Sequence, residues 1–79
     1  MKELLPFFKA LGEENRIAII CLLLEREHCV NELMEKLNLS QSTVSHHLKI
    51  LKQAGLLNER SRGNWSCYSL NKSGFKHYA

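Results

Sequence analysis

Residues 39–56 read LSQSTVSHHLKILKQAGL, a serine where a helix would start and a glycine where it would stop. Ser40 suits an N-cap and Gly55 the C′ position, so the helix runs from about Gln41 to Ala54. At about 100° per residue, Val44, Leu48 and Leu51 fall on one narrow apolar stripe. Ser42, His46, Lys49 and Gln53 fall on the opposite side, with Ser45 and Lys52 at one edge and Thr43 towards the other. The adjacent histidines point about 100° apart and do not converge on one metal ion. His46 lies near the centre of the outward face and His47 beside the core stripe. That outward face carries hydroxyls, an amide, an imidazole and an ammonium, and no carboxylate. Such groups exchange hydrogen bonds with base edges and phosphates. A helix kept polar for solubility alone would mix in Glu; an acid-free face behind a Ser cap suits a DNA major groove.

Upstream, VNELMEKLNLS places Val30, Leu33, Met34 and Leu37 at the i, i+3, i+4, i+7 spacing of a one-sided helix. Asn38, Leu39 and Ser40 make a three-residue turn, so residues from about 30 to 54 carry a helix-turn-helix signature. Earlier still, RIAIICLLLERE is apolar over most of its circumference. Ile17, Ile20 and Leu24, with Cys21 and Leu23 on the neighbouring stripe, mark it as the central buried helix. Pro6 opens a short helix through FFKAL, and Gly12 closes it. Beyond Gly55 the period changes to the alternation of LLNERSR and WSCYSLN with Gly63-Asn64 between them, a hairpin over about 57–70. Arg60, Arg62 and Asn64 gather at its tip; Trp65 and Tyr68 are expected to pack its inner face, the alternative being to stack on nucleic-acid bases. KSGFKHYA begins a short last helix that contains Gly74.

The fold class is therefore mainly α with one β-hairpin, a winged helix-turn-helix spanning residues 1–79 as a single DNA-binding domain with a short final helix. Apolar residues at 44% and charged residues at 24% are ordinary for a folded chain and exclude wholesale disorder. Charge is unevenly spread. Residues 1–40 set Lys2, Lys9, Arg16, Arg26 and Lys36 against seven Glu, a net of −2. Residues 41–79 set Lys49, Lys52, Arg60, Arg62, Lys72 and Lys76 against Glu59, a net of +5. A basic half on a mild protein is a footprint for a polyanion. The longest apolar run, IAIICLLL at 17–24, falls short of the ~20 residues needed to span a bilayer, and no signal-peptide pattern opens the chain. Three cysteines without CxxC spacing fit a reducing compartment, the cytosol, better than a disulfide framework. No nucleophile–base pair or phosphate loop stands out and Asp is absent, which argues against an enzyme.

ALGEENRIAIICLLLE (10–25), VNELMEKLNLSQSTVSHHLKILKQAGLL (30–57) and RSRGNWSCYSL (60–70) together resemble the arsenic-repressor (ArsR) family of winged-helix regulators, over roughly residues 7–71. The resemblance implies a homodimeric repressor on double-stranded operator DNA, released by a small inducer of unspecified chemistry. It implies DNA contacts from Gln41, Ser42, Ser45 and His46, and wing contacts near Arg62, Gly63 and Asn64; the helical reading adds Thr43 and Lys49. Family members that sense soft metals carry Cys-Val-Cys where this chain has Cys29-Val30-Asn31, so His28 and Cys29 make only a partial metal site. Members that sense zinc from the last helix carry an acid and a His where Lys72 and Gly74 stand, and His77 does not replace them. A third branch pairs a central-helix Cys with one in the last helix; Cys21 matches the first, but no Cys follows Cys67. Cys21 is the redox candidate, no bound cofactor is expected, and Cys67 reads as structural. The alternatives are a metal- or thiol-sensing repressor built on these incomplete sites, or a winged helix that binds another protein. The latter would present apolar anchors, which Ser42, His46, Lys49 and Gln53 do not supply.

Overall fold

The computed structural model describes residues 3–78, so Lys2 and Ala79 lie outside the described residues. The elements follow in the order α1 (Leu5–Leu11), α2 (Glu14–Glu25), β1 (His28–Cys29), α3 (Val30–Leu37), α4 (Gln41–Gln53), β2 (Leu57–Arg62), β3 (Trp65–Leu70) and α5 (Lys72–Tyr78). The strands form an antiparallel sheet in the order β1-β3-β2. The β2–β3 hairpin pairs Leu57 with Leu70 at its base and Arg62 with Trp65 at its tip. Gly63, at φ 61°, takes the first place in the two-residue turn, a region that glycine enters at little steric cost. The fold is a winged helix-turn-helix, as the sequence predicts.

Both ends of α4 are closed by the predicted residues. Ser40 Oγ accepts the Thr43 N–H at 3.2 Å. At the other end Leu56 N–H reaches the Leu51 carbonyl and Gly55 N–H the Lys52 carbonyl, with Gly55 at φ 80°. Asn38 ends α3 in the left-handed conformation, φ 55°, which Asn tolerates better than other non-glycine residues. Ile19, Leu33, Val44, Leu48, Leu51 and Leu56 form the fully buried centre, where each large side chain contributes about 1.5–3 kcal/mol. Gly74 stands inside the final helix because the position leaves no room for a side chain: a Cβ there would run into the Gly55 carbonyl. Tyr78 Oη donates to the Ala54 carbonyl at 2.7 Å, docking α5 on the end of α4.

Two expectations are corrected and one element is added. Helix α2 is not buried all round: Ile19 and Leu23 face the core, whereas Ile17 (47% exposed), Leu24 (70%) and Cys21 share the opposite stripe and face out. Among the described residues, core partners lie mainly on one side of it. Trp65 does not pack the inner face of the hairpin; it is 54% exposed, while Tyr68 does lie against the core. The two-residue β1 was not foreseen. Its register sets Cys29 opposite Cys67 and brings the two sulfurs into contact across the sheet. Cys67, expected as a small packing residue, is fully buried.

Candidate nucleic-acid interface

The helix-turn-helix brings the predicted polar residues to one surface. Gln41, Ser42, Ser45, His46, Lys49 and Gln53 are all exposed, and Thr43 is half-buried with its hydroxyl 2.9 Å from Ser40 Oγ. Thr43 thereby fixes the first turn rather than projecting freely. The ring centroids of His46 and His47 lie 5.5 Å apart and the rings diverge, one to solvent and one to the interior. Lys52 is held by Glu59 on β2, which leaves Lys49 as the outward cation at mid-helix.

The inward histidine belongs to a network that the sequence reading missed. Arg16 Nη1 donates to His47 Nδ1 at 3.1 Å, Arg16 Nε to the Ala10 carbonyl at 2.7 Å and Arg16 Nη2 to the Lys9 carbonyl at 3.2 Å. One guanidinium therefore ties the end of α1 and the start of α2 to the middle of α4. Burial lowers the His47 pKa from its ordinary value, which keeps Nδ1 free to accept. The available signal was a histidine at the margin of an apolar stripe, which needs a hydrogen-bond partner once buried.

The wing stands beside this helix. Gln41 and Ser45 of α4, Met34 of α3, and Asn64 and Trp65 of the hairpin line a shared hollow of about 420 Å³. Gly63 and Asn64 are exposed at the tip. The arginines are less free than the sequence suggests. Arg60 donates two hydrogen bonds to Glu27, at 2.6 and 2.9 Å, and Arg62 Nη1 lies 3.7 Å from the same carboxylate. The Arg60 bonds hold the Glu27 carboxyl below its usual range.

The weak metal candidates are occupied otherwise. His28 is fully buried; its Nδ1 donates to the Arg26 carbonyl at 2.9 Å and its Nε2 accepts from Lys36 Nζ at 3.2 Å. Cys29 is buried against Cys67, and its N–H donates to Glu32 Oε1 at 3.0 Å. Glu32 also accepts from Arg26 at 2.8 Å, and these two bonds, Arg26 first, bring its pKa down to about 2. Among the described residues no three metal-ligating side chains gather. Cys21 is an exposed free thiol.

A helix-turn-helix flanked by a wing, with its second helix presenting an acid-free polar face, defines the winged helix-turn-helix class. Residues 13–59 match the model of the bacterial regulatory protein, arsR family, and the chain belongs to that family. It is 43% identical over 65 residues to the arsenical resistance operon repressor of Bacillus subtilis, covering 81% of this chain and 62% of that one. The transcriptional activator HlyU of Vibrio cholerae is 41% identical over 68 residues, covering 86% and 63%. The chain thus spans less than two thirds of the length of both. The solved structure of HlyU superposes with a TM-score of 0.86 at 37% identity, over 96% of this chain and 83% of that one. The homodimeric winged helix-turn-helix domain of Mb0332 from Mycobacterium bovis shares the fold, with a TM-score of 0.86 at 24% identity over 98% and 72%.

Proposed function

We propose that residues 1–79 act as one sequence-specific, double-stranded-DNA-binding domain of a transcriptional regulator, a homodimer that binds its operator and represses. The observation that carries this reading is the exposed, acid-free face of α4 set beside the wing. Ser42, Ser45 and His46 read base edges, and Gln41 reaches DNA from the first turn. Thr43 orients that turn through Ser40, Lys49 meets a phosphate, and Arg62, Gly63 and Asn64 follow the adjacent backbone. The role is binding, not catalysis. Relatives include a protein named as a repressor and one named as an activator. Repression is favoured because a dimer lying across a promoter excludes polymerase with no surface beyond the interface described. The second copy would cover the outward stripe of Ile17 and Leu24 together with Leu5 and Phe8, all exposed here. Such a role places the protein in the cytoplasm, with the genome. An inducer would act on the dimer.

The test is fluorescence anisotropy on the DNA upstream of its own gene and on a scrambled duplex, across a salt series. Selective binding is expected, and His46→Ala should reduce operator preference by about 1–3 kcal/mol. Equal weakening on both duplexes would remove His46 from base reading. Absence of any preference in the unaltered chain would remove the function.

A further inference from the structure

Helix α4 has a hollow on each flank of its outward face. At about 100° per residue, Gln41 and Ser45 lie on one side of the stripe formed by Ser42, His46, Lys49 and Gln53. Ile50 and Ala54 lie on the other. Gln41 and Ser45 share the hollow with the wing. On the opposite flank, Pro6, Lys9, Arg16, Ile50, Gln53 and Ala54 line a second hollow of about 290 Å³. Among the described residues no carboxylate lines it. Glu13, the acid nearest Arg16 in sequence, accepts instead from the backbone N–H groups of Asn15 and Arg16. Residues 1–40 carry a net charge of −2, yet two of their five cations, Lys9 and Arg16, come together here.

Arg16 is fixed in this hollow. Its Nε, Nη1 and Nη2 donate to the Ala10 carbonyl, His47 Nδ1 and the Lys9 carbonyl. A guanidinium has more N–H groups than these bonds use, and it is always charged. Its remaining donors are in place before any ligand arrives, which lowers the ordering cost of binding. Lys9 and Gln53, both exposed, add an ammonium and an amide. An α-helix with its side chains is about 10–12 Å across and the major groove about 12 Å wide. A helix lying in the groove therefore has a sugar–phosphate strand on each side, and the wing stands on one of them. We propose that Lys9, Arg16 and Gln53 form a notch that holds a backbone phosphate of operator DNA on the side of α4 away from the wing. A phosphate oxygen accepts from Arg16 and from the Gln53 amide, and Lys9 supplies the second positive charge. The contact reads no base; it fixes the register of α4 in the groove from the flank that the wing does not reach. The same guanidinium that ties α1 and α2 to α4 thus also holds the DNA strand.

The notch rests on the DNA-binding reading, and the measurements separate the two. Anisotropy on operator and scrambled duplexes across a salt series compares the wild type with Lys9→Ala, Lys9→Arg and Gln53→Glu, with urea unfolding as the check on folding. Arg16 stays unaltered because it ties three helices together. Lys9→Ala should weaken both duplexes several-fold at low salt and make the slope of log affinity against log salt shallower by about one. Lys9→Arg should restore both. Gln53→Glu sets a carboxylate in the notch and should weaken both duplexes more at low salt than at high salt. Operator duplexes with single phosphates replaced by neutral methylphosphonates then locate the contact. One replacement should weaken the wild type several-fold and leave Lys9→Ala almost unaffected. An unchanged slope for Lys9→Ala, or no phosphate coupled to Lys9, overturns the notch. A shift of the monomer–dimer balance in Lys9→Ala, read by sedimentation with the salt slope intact, gives the hollow to a second copy and overturns it equally. If the wild type binds both duplexes alike, the function fails, and the slope and the phosphate coupling on the scrambled duplex decide the notch. Binding to neither duplex overturns both.

Discussion

Helix α4 and the wing stand side by side and are held in place by different physics. The helix rests on Val44, Leu48 and Leu51, all essentially inaccessible, and is closed at both ends by backbone and side-chain caps. In β2 only Leu57 is buried, and Asn58 to Arg62 are exposed. What holds the wing is the β1-β3-β2 ladder, the packing of Leu57, Tyr68 and Leu70 at its base, and the ion pairs of Glu27 and Glu59. Burial depends little on salt, whereas exposed ion pairs are screened by it. The helix is thus a fixed reader, and the wing is the part whose position conditions can set.

The comparison is broken most severely through the core. Leu51→Ala leaves a cavity under the last turn of α4 and should cost about 2–5 kcal/mol in urea unfolding. For a chain of this size such a loss takes a large part of the total stability, and operator binding should fall with it. A cost below about 1 kcal/mol would mean that α4 is not anchored as described. The wing answers to a gentler change. Glu27→Gln removes the carboxylate shared by Arg60 and Arg62 and frees two guanidiniums for phosphates. DNA binding at low salt should tighten several-fold, about 1 kcal/mol, and the slope of log affinity against log salt should steepen by about one. An unchanged slope would show that neither arginine reaches the DNA backbone.

How much of this was legible depended on whether a segment has a direction written into it. Helices α3 and α4 have apolar and polar sides, and Ser40 and Gly55 mark the ends of α4, so its boundaries and outward face were readable. Helix α2 carries Ile17, Ile19, Ile20, Leu22, Leu23 and Leu24, apolar almost all round. Periodicity cannot say which stripe such a helix buries; packing chose Ile19 and Leu23 and left Ile17 and Leu24 outside. Strand β1 has two residues and hence no alternation to detect. Only its register with β3 brings Cys29 to Cys67, so their pairing had no local sequence signal. Gly74 looked like a helix breaker, and its reason lies in the Gly55 carbonyl, 19 positions earlier in the chain. The site was legible in its donors and acceptors. The ion pairs that restrain the wing arginines were not, because Glu27 comes from the far side of the helix-turn-helix.

The smallest expected effect concerns how the fixed reader is held, through His47. Burial, then the neighbouring Arg16 and His46 charges, lower its pKa, with Glu13 opposing, its carboxylate 3.8 Å from Nε2. The folded chain therefore keeps His47 neutral, with Nδ1 accepting from Arg16. The unfolded chain takes up a proton near the ordinary value of 6.5. Below that value the unfolded state binds more protons, so stability falls as pH falls. The contribution is complete above 6.5 and is lost as pH drops through the lowered folded value. Glu32, with its pKa near 2, acts in a separate window: its contribution is present above 4.5 and is lost towards 2. His47→Gln keeps an acceptor for Arg16 and cannot titrate. Urea unfolding at about pH 7.5 and about pH 5.5 should show the wild type losing more stability than this variant. Equal losses would mean that the proton on His47 has no hold on α4, and that the Arg16 tie to the two backbone carbonyls of α1 positions the helix by itself.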